Sequence, residues 1–168
     1  MKLYFIVLLC LITCTLYSQK RSGVMIGPTV GFMNGFVYGG HLESVFDLDK
    51  KLTTGVGFEV VKRKTEGNVV FPIFASFKYY FRGEKNIPYL SFSPGYCFAR
   101  GSRVIDGETF GYDGGFYAAA MVGFYGNSPK AKPYVQVGYK YLPLSFSLDG
   151  NTTKYDSNFI CLDFGVKF

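Results

Sequence analysis

Glu43, Glu59, Arg63, Lys78, Lys140, Asp163 and Lys167 share one phase of an alternating pattern, the phase otherwise rich in Gly, Ala and Ser. In extended chain, successive side chains point to opposite faces. These charges therefore lie opposite the Phe, Tyr and Val residues that fill the other phase. Charges of both signs on such a face must pair or stay wet, because an isolated buried charge is very costly. Two chemistries are open to them: an ion or proton path, and a salt-bridged plug. If the alternating segments close into a small barrel, its bore is just wide enough for side chains, which favours the plug.

His41 is the sole histidine, and Ser44 follows three positions later. A base near a hydroxyl suggests acyl transfer of the kind performed by lipid-modifying barrels. Period-two geometry places Ser44 on the face opposite His41, so no catalytic residue is assigned and no enzyme is expected. No Cys/His metal spacing and no phosphate loop occur, so neither metal nor cofactor is expected. Gly55-Val56-Gly57 lacks a following lysine and a strand–helix setting. The formal charge is +6, but Lys and Arg form no stripe, which argues against a nucleic-acid partner.

The elements that must position these residues read as strands. Phe and Tyr number 18 and 14, and Gly 21, a composition that favours pleated sheet over helix. Eight alternating segments cover about 23–33, 38–47, 52–63, 69–81, 88–100, 115–125, 133–142 and 156–168. Each has at least roughly the nine to eleven residues with which a tilted strand crosses a bilayer, against about five or six in soluble sheets. One face is dense in apolar rings and branched chains. The other is expected to be a narrow lumen of small residues. Two connections are long, about 101–114 and 143–155, and are expected to be loops at one end. Short turns at 48–51, 82–86 and 126–129 close the other. Outer-membrane barrels have this asymmetry of short periplasmic turns and long outer loops.

Residues 1–19 read as a signal peptide: Lys2, an apolar run over 4–13, and small residues before a cut after Ser18 or Gln19. Thr13 before Cys14 is a poor lipidation signal. The barrel domain is then 20–168. Its cysteines, Cys97 and Cys161, fall on the fifth and eighth segments, which are not neighbours, and are expected to stay unpaired. Tyr79, Phe81, Tyr89, Tyr134 and Phe168 at one end, with Phe71, Phe98, Phe116 and Tyr141 at the other, are expected to form interfacial girdles.

Two stretches carry a resemblance. Ile160, Leu162, Phe164, Val166 and Phe168 occupy alternate positions of a strand that ends on Phe, which resembles the signal read by outer-membrane barrel-assembly machinery. Val70 to Phe81, with Lys78-Tyr79-Tyr80-Phe81 at its end, is followed by a polar turn and Pro88-Tyr89. It is similar to a hairpin of small Bacteroidota-type outer-membrane barrels, the PorT-like and OmpX/OmpA-like group, with Ser93-Pro94-Gly95 where the group has Gly-x-Gly. The expected fold is an all-β, antiparallel, up-and-down transmembrane barrel of about eight strands. The resemblance implies export to the cell outer membrane, with lipid and the assembly machinery as partners. The expected role is structural, or binding of an extracellular ligand through the outer loops, without an open pore. The alternative that the resemblance implies is an accessory component of an envelope secretion or assembly machine, meeting an envelope protein through the periplasmic turns.

Overall fold

The computed structural model describes residues 22–32, 35–63, 69–81, 88–100, 102–105, 108–111, 113–128, 130–148, 151–156 and 158–168. The expected leader and cleavage site, with Cys10 and Cys14, lie outside the described residues, as does the turn expected at 82–86. Among the described residues there are twelve strands and no helix: β1 (Ser22–Phe32), β2 (Phe36–Asp47), β3 (Leu52–Arg63), β4 (Val69–Tyr80), β5 (Tyr89–Arg100), β6 (Ser102–Ile105), β7 (Glu108–Gly111), β8 (Gly115–Tyr125), β9 (Lys132–Tyr141), β10 (Pro143–Leu148), β11 (Asn151–Asp156) and β12 (Phe159–Lys167). Eight of them close an antiparallel barrel in the order β1-β12-β9-β8-β5-β4-β3-β2. Barrel strands that follow one another pair throughout, and β12 returns to β1, so the barrel sheet has no edge strand. The last residue joins that closure: Phe168 donates its backbone N–H to Val24 at 2.9 Å and accepts from Val24 at 3.2 Å.

Alternation decides which way each side chain points, and the result is inverted relative to a water-soluble barrel. Large apolar residues stand exposed on the outside, among them Phe32, Ile73, Phe92, Phe116 and Ile160, while Lys78, Lys140, Glu43, Glu59 and Asp163 are buried within. The apolar faces expected for all eight segments are the outward faces of these strands.

The two long connections differ from expectation. They are not loops but hairpins, β6–β7 and β10–β11, each outside the barrel sheet. Their registers pair Ile105 with Glu108 and Leu148 with Asn151. The dipeptides between are Asp106-Gly107 and Asp149-Gly150, a strong hairpin signature in sequence. Asp113 and Ser145 bridge the two connections through paired backbone hydrogen bonds of 2.7 and 3.1 Å. Residues 151–156 thus belong to β11, and the final barrel strand begins at Phe159 rather than near 156.

Proline leaves a mark on the ladder. The β1–β12, β3–β4 and β4–β5 registers each lapse for two residues, and those gaps contain Pro28, Pro72 and Pro94 respectively. A proline has no N–H to give, so its strand pairs regularly on one side only.

Candidate functional site: a charged belt inside the barrel

Inside the barrel, side chains sort into three layers. Towards the short-turn end, Met25, Val45, Tyr80, Tyr89, Tyr125 and Tyr134 pack as one buried cluster. Towards the hairpin end a second cluster is built on Val37, Val61, Val70, Phe74, Tyr117, Leu142 and Phe159. A belt of charged and polar groups lies between.

The large rings correct the expectation of a small-residue lumen. Glycine on one strand makes room for a ring on the next. Tyr89 and Gly123 are register partners, and the Tyr89 ring occupies the space where a Gly123 Cβ would stand. Phe74 treats Gly57 likewise, its Cζ only 2.7 Å from that Cβ position. Rings and glycines are thus complementary halves of one packed interior, and aromatic cover over a strand glycine also stabilises the pairing.

The belt is two networks. In the first, Lys140 donates to Glu59 Oε1 at 2.6 Å, to Asp163 Oδ1 at 3.1 Å and to Thr29 Oγ1 at 3.5 Å. An ammonium has three donors, and all three are used. Gln136 donates to Asp163 Oδ2 at 3.1 Å and accepts from the Tyr89 hydroxyl at 3.0 Å. Tyr117 reaches Glu59 Oε2 at 3.5 Å. In the second, Lys78 and Ser76 both donate to Glu43 Oε1, and Lys78 also contacts Met25 Sδ at 3.2 Å. His41 joins the layers, with Thr29 Oγ1 3.3 Å from Nδ1 and the Tyr134 hydroxyl on Nε2. A residual void of ≈ 10 Å³ against His41, Glu43 and Asp163 has room for about one water.

Of the lumen charges anticipated from sequence, the structure brings together Glu43 with Lys78, and Glu59 and Asp163 with Lys140. Lys167 lies at the short-turn end, its ammonium 5.5 Å from the Tyr125 ring centre. The side chain of Arg63 lies outside the described residues. Ser44 is on the outward phase of β2, away from buried His41. Cys97 and Cys161 are buried, free thiols. Ile160, Leu162, Phe164 and Phe168 face outward and are exposed, with Val166 half-buried beside them. Among the described residues no group of three metal-binding side chains occurs.

Sequence reasoning missed Thr29, Ser76, Tyr117 and Gln136 as belt members. It also misplaced two rings. Tyr79, Phe81 and Phe168 are exposed outside, as girdle residues must be, and so are Phe71, Phe98 and Phe116, but Tyr89 and Tyr134 are 0% and 4% exposed and point inward. The signal was present, since Tyr89 precedes outward Leu90 and Tyr134 precedes outward Val135.

No protein-family model matches the chain, and no curated protein sequence matches it. Solved structures share its fold. The N-terminal β-barrel domain of Pseudomonas aeruginosa OprF superposes with a TM-score of 0.57 at 11% identity, covering 87% of this chain and 97% of that one. The outer membrane protein AlkL, determined in DMPC bilayers, gives 0.60 at 12% identity, covering 88% of each chain. Neisserial surface protein A gives 0.55 at 13% identity, covering 87% and 94%.

Proposed function

We propose that this chain is an outer-membrane β-barrel protein, not an enzyme, that keeps its bore filled and serves a structural or binding role through the hairpins at one end. The observation that carries this reading is the inverted distribution of side chains. Exposed Phe, Ile, Val, Leu and Tyr surround the barrel, while Glu43, Glu59, Lys78, Lys140 and Asp163 are buried inside. Water would penalise that outside, at roughly 25 cal/mol per Å² of apolar surface. A bilayer does not, and a closed barrel satisfies its lipid-depth backbone groups by pairing. The short-turn end is then periplasmic and the β6–β7 and β10–β11 hairpins extracellular.

A filled bore follows from the belt. Lys140 and Lys78 are both paired with buried carboxylates, and an aromatic layer lies beyond them. The reading predicts a chain from residue 20 that folds into lipid vesicles, shows heat-modifiable gel mobility, and gives no stable conductance steps in planar bilayers. A monodisperse protein without detergent would overturn the membrane assignment, and large, stable steps would overturn the filled bore. Site-specific photocrosslinkers in the two hairpins should capture an extracellular partner. Capture only from the 48–51 and 126–131 turns would favour an accessory role in an envelope machine instead.

A further inference from the structure

The outward face of the eight barrel strands carries two charged residues among the described side chains, Lys62 and Arg100, and both are cations. Each other outward position from Val24 to Phe168 is apolar or uncharged. The two are not scattered. Lys62 pairs with Val69 across β3–β4, and Val69 pairs with Arg100 across β4–β5. They share one register row at the hairpin end, two interstrand spacings apart, about 10 Å. Both side chains are exposed, and among the described residues that face offers no carboxylate to either.

The surface beneath them is apolar and aromatic. One outward step towards the short-turn end stand Val60, Phe71 and Phe98, with Phe71 and Phe98 register partners. Phe98 meets Tyr96 edge-on at 5.0 Å between ring centres. Cations on a lipid-facing wall lay their alkyl stems along such a surface and lift their charge to the headgroup level. Arg presents a planar fork that matches phosphate oxygens, and Lys a mobile point charge. Side chains of this length, rooted about 10 Å apart, converge on one tetrahedral anion between them.

We propose that Lys62 and Arg100 form a binding site for the phosphate headgroup of an anionic lipid in the leaflet at the hairpin end, whose acyl chains lie along Val60, Phe71 and Phe98. The site rests on the membrane reading given above. It fixes the depth and rotation of the barrel in that leaflet, because the other described outward faces carry no comparable charge.

Native mass spectrometry of the detergent-refolded chain from residue 20 tests it, titrating dioleoyl phosphatidylglycerol, dioleoyl phosphatidylcholine or inorganic phosphate. The parent should retain phosphatidylglycerol on the order of tenfold more tightly than phosphatidylcholine. Lys62→Gln with Arg100→Gln should erase that preference, Arg100→Lys should keep most of it, and Lys130→Gln with Lys132→Gln, at the opposite end, should leave it intact. A preference that survives in the Lys62/Arg100 double variant overturns the site. Inorganic phosphate that displaces phosphatidylglycerol overturns the lipid as its occupant. Heat-modifiable mobility of the same samples separates the two readings: a folded, membrane-inserted barrel without lipid preference removes only the headgroup site.

Discussion

Lys140 and Glu59 are 81 residues apart in the chain and meet at 2.6 Å inside the barrel, with Asp163 at 2.9 Å from the same ammonium. One lysine thus ties β3, β9 and β12 together across the bore. Removing it leaves two carboxylates facing each other without a counter-charge. Lys140→Met should cost about 3–5 kcal/mol of stability, read as a lowered urea midpoint of the folded gel band. Adding Glu59→Gln and Asp163→Asn should recover most of the loss, since the uncompensated charges are then gone. An unchanged midpoint in Lys140→Met would show that the belt does not hold the barrel.

Two buried tyrosines predict opposite outcomes for the same change. The Tyr89 hydroxyl donates to Gln136 Oε1, whereas the buried Tyr80 hydroxyl, although near Thr53 and Tyr125, makes no hydrogen bond of ordinary geometry among the described residues. Tyr89→Phe leaves the Gln136 acceptor unpaired and should cost about 1 kcal/mol. Tyr80→Phe removes an unsatisfied polar atom and should be neutral or stabilising. Urea titrations of the two variants side by side decide it, and a Tyr80→Phe loss equal to that of Tyr89→Phe would contradict the assignment.

Gly123 is expected to tolerate no side chain. Gly123→Val drives a branched group into the Tyr89 ring and should destabilise by about 1–3 kcal/mol. Because the two residues compete for one space, Gly123→Val combined with Tyr89→Ala should lose clearly less than the sum of the single changes. A double-mutant cycle on refolded protein measures that coupling, and strict additivity would mean that the ring moves aside freely.

The faces of β12 should respond unequally to charge. Phe164 is exposed on the outward face, and Phe164→Lys should cost about 2–4 kcal/mol near the bilayer centre. Lys167→Ser on the inward phase should be milder. Deleting Phe168 removes its backbone exchange with Val24 at the seam and the terminal ring of the assembly signal that the strand resembles. Heat-modifiable mobility of the membrane fraction should show less folded barrel for the deletion, and equal yield would remove the role assigned to that residue.

Cys97 and Cys161 are buried, free thiols on β5 and β12, strands that are not neighbours in the barrel. A maleimide should modify neither in the folded chain from residue 20 and both after denaturation without reductant. Protection that persists in denaturant and disappears on reduction would reveal a disulfide instead.

Eight strands, their two faces and their antiparallel order are legible along the chain, because each is a local property. A run such as Phe71, Ile73, Ala75, Phe77 and Tyr79 assigns one face by the two-residue period of the strand alone. The same rule put Glu43, Glu59, Lys78, Lys140 and Asp163 inside. The segments at 102–111 and 143–156 were expected as loops although their Asp-Gly pairs carry a hairpin signal; they form hairpins whose strands are too short for the barrel and do not join its sheet.

Which inward groups meet is a matter of the folded chain. By alternation, Lys140 could face any carboxylate of the inward phase. Barrel closure and the stagger of neighbouring strands select Glu59 and Asp163 for it and Glu43 for Lys78. The same holds for Tyr89 over Gly123, where the alternation of each strand gives the direction of the ring but only the pairing of β5 with β8 supplies the glycine beneath it. It holds for Lys62 and Arg100, which lie on different strands and are brought into one row by the registers through Val69. Periodicity is a property of one strand, while register is a property of two, set by turn geometry and by the packing of every other pair around the closed sheet.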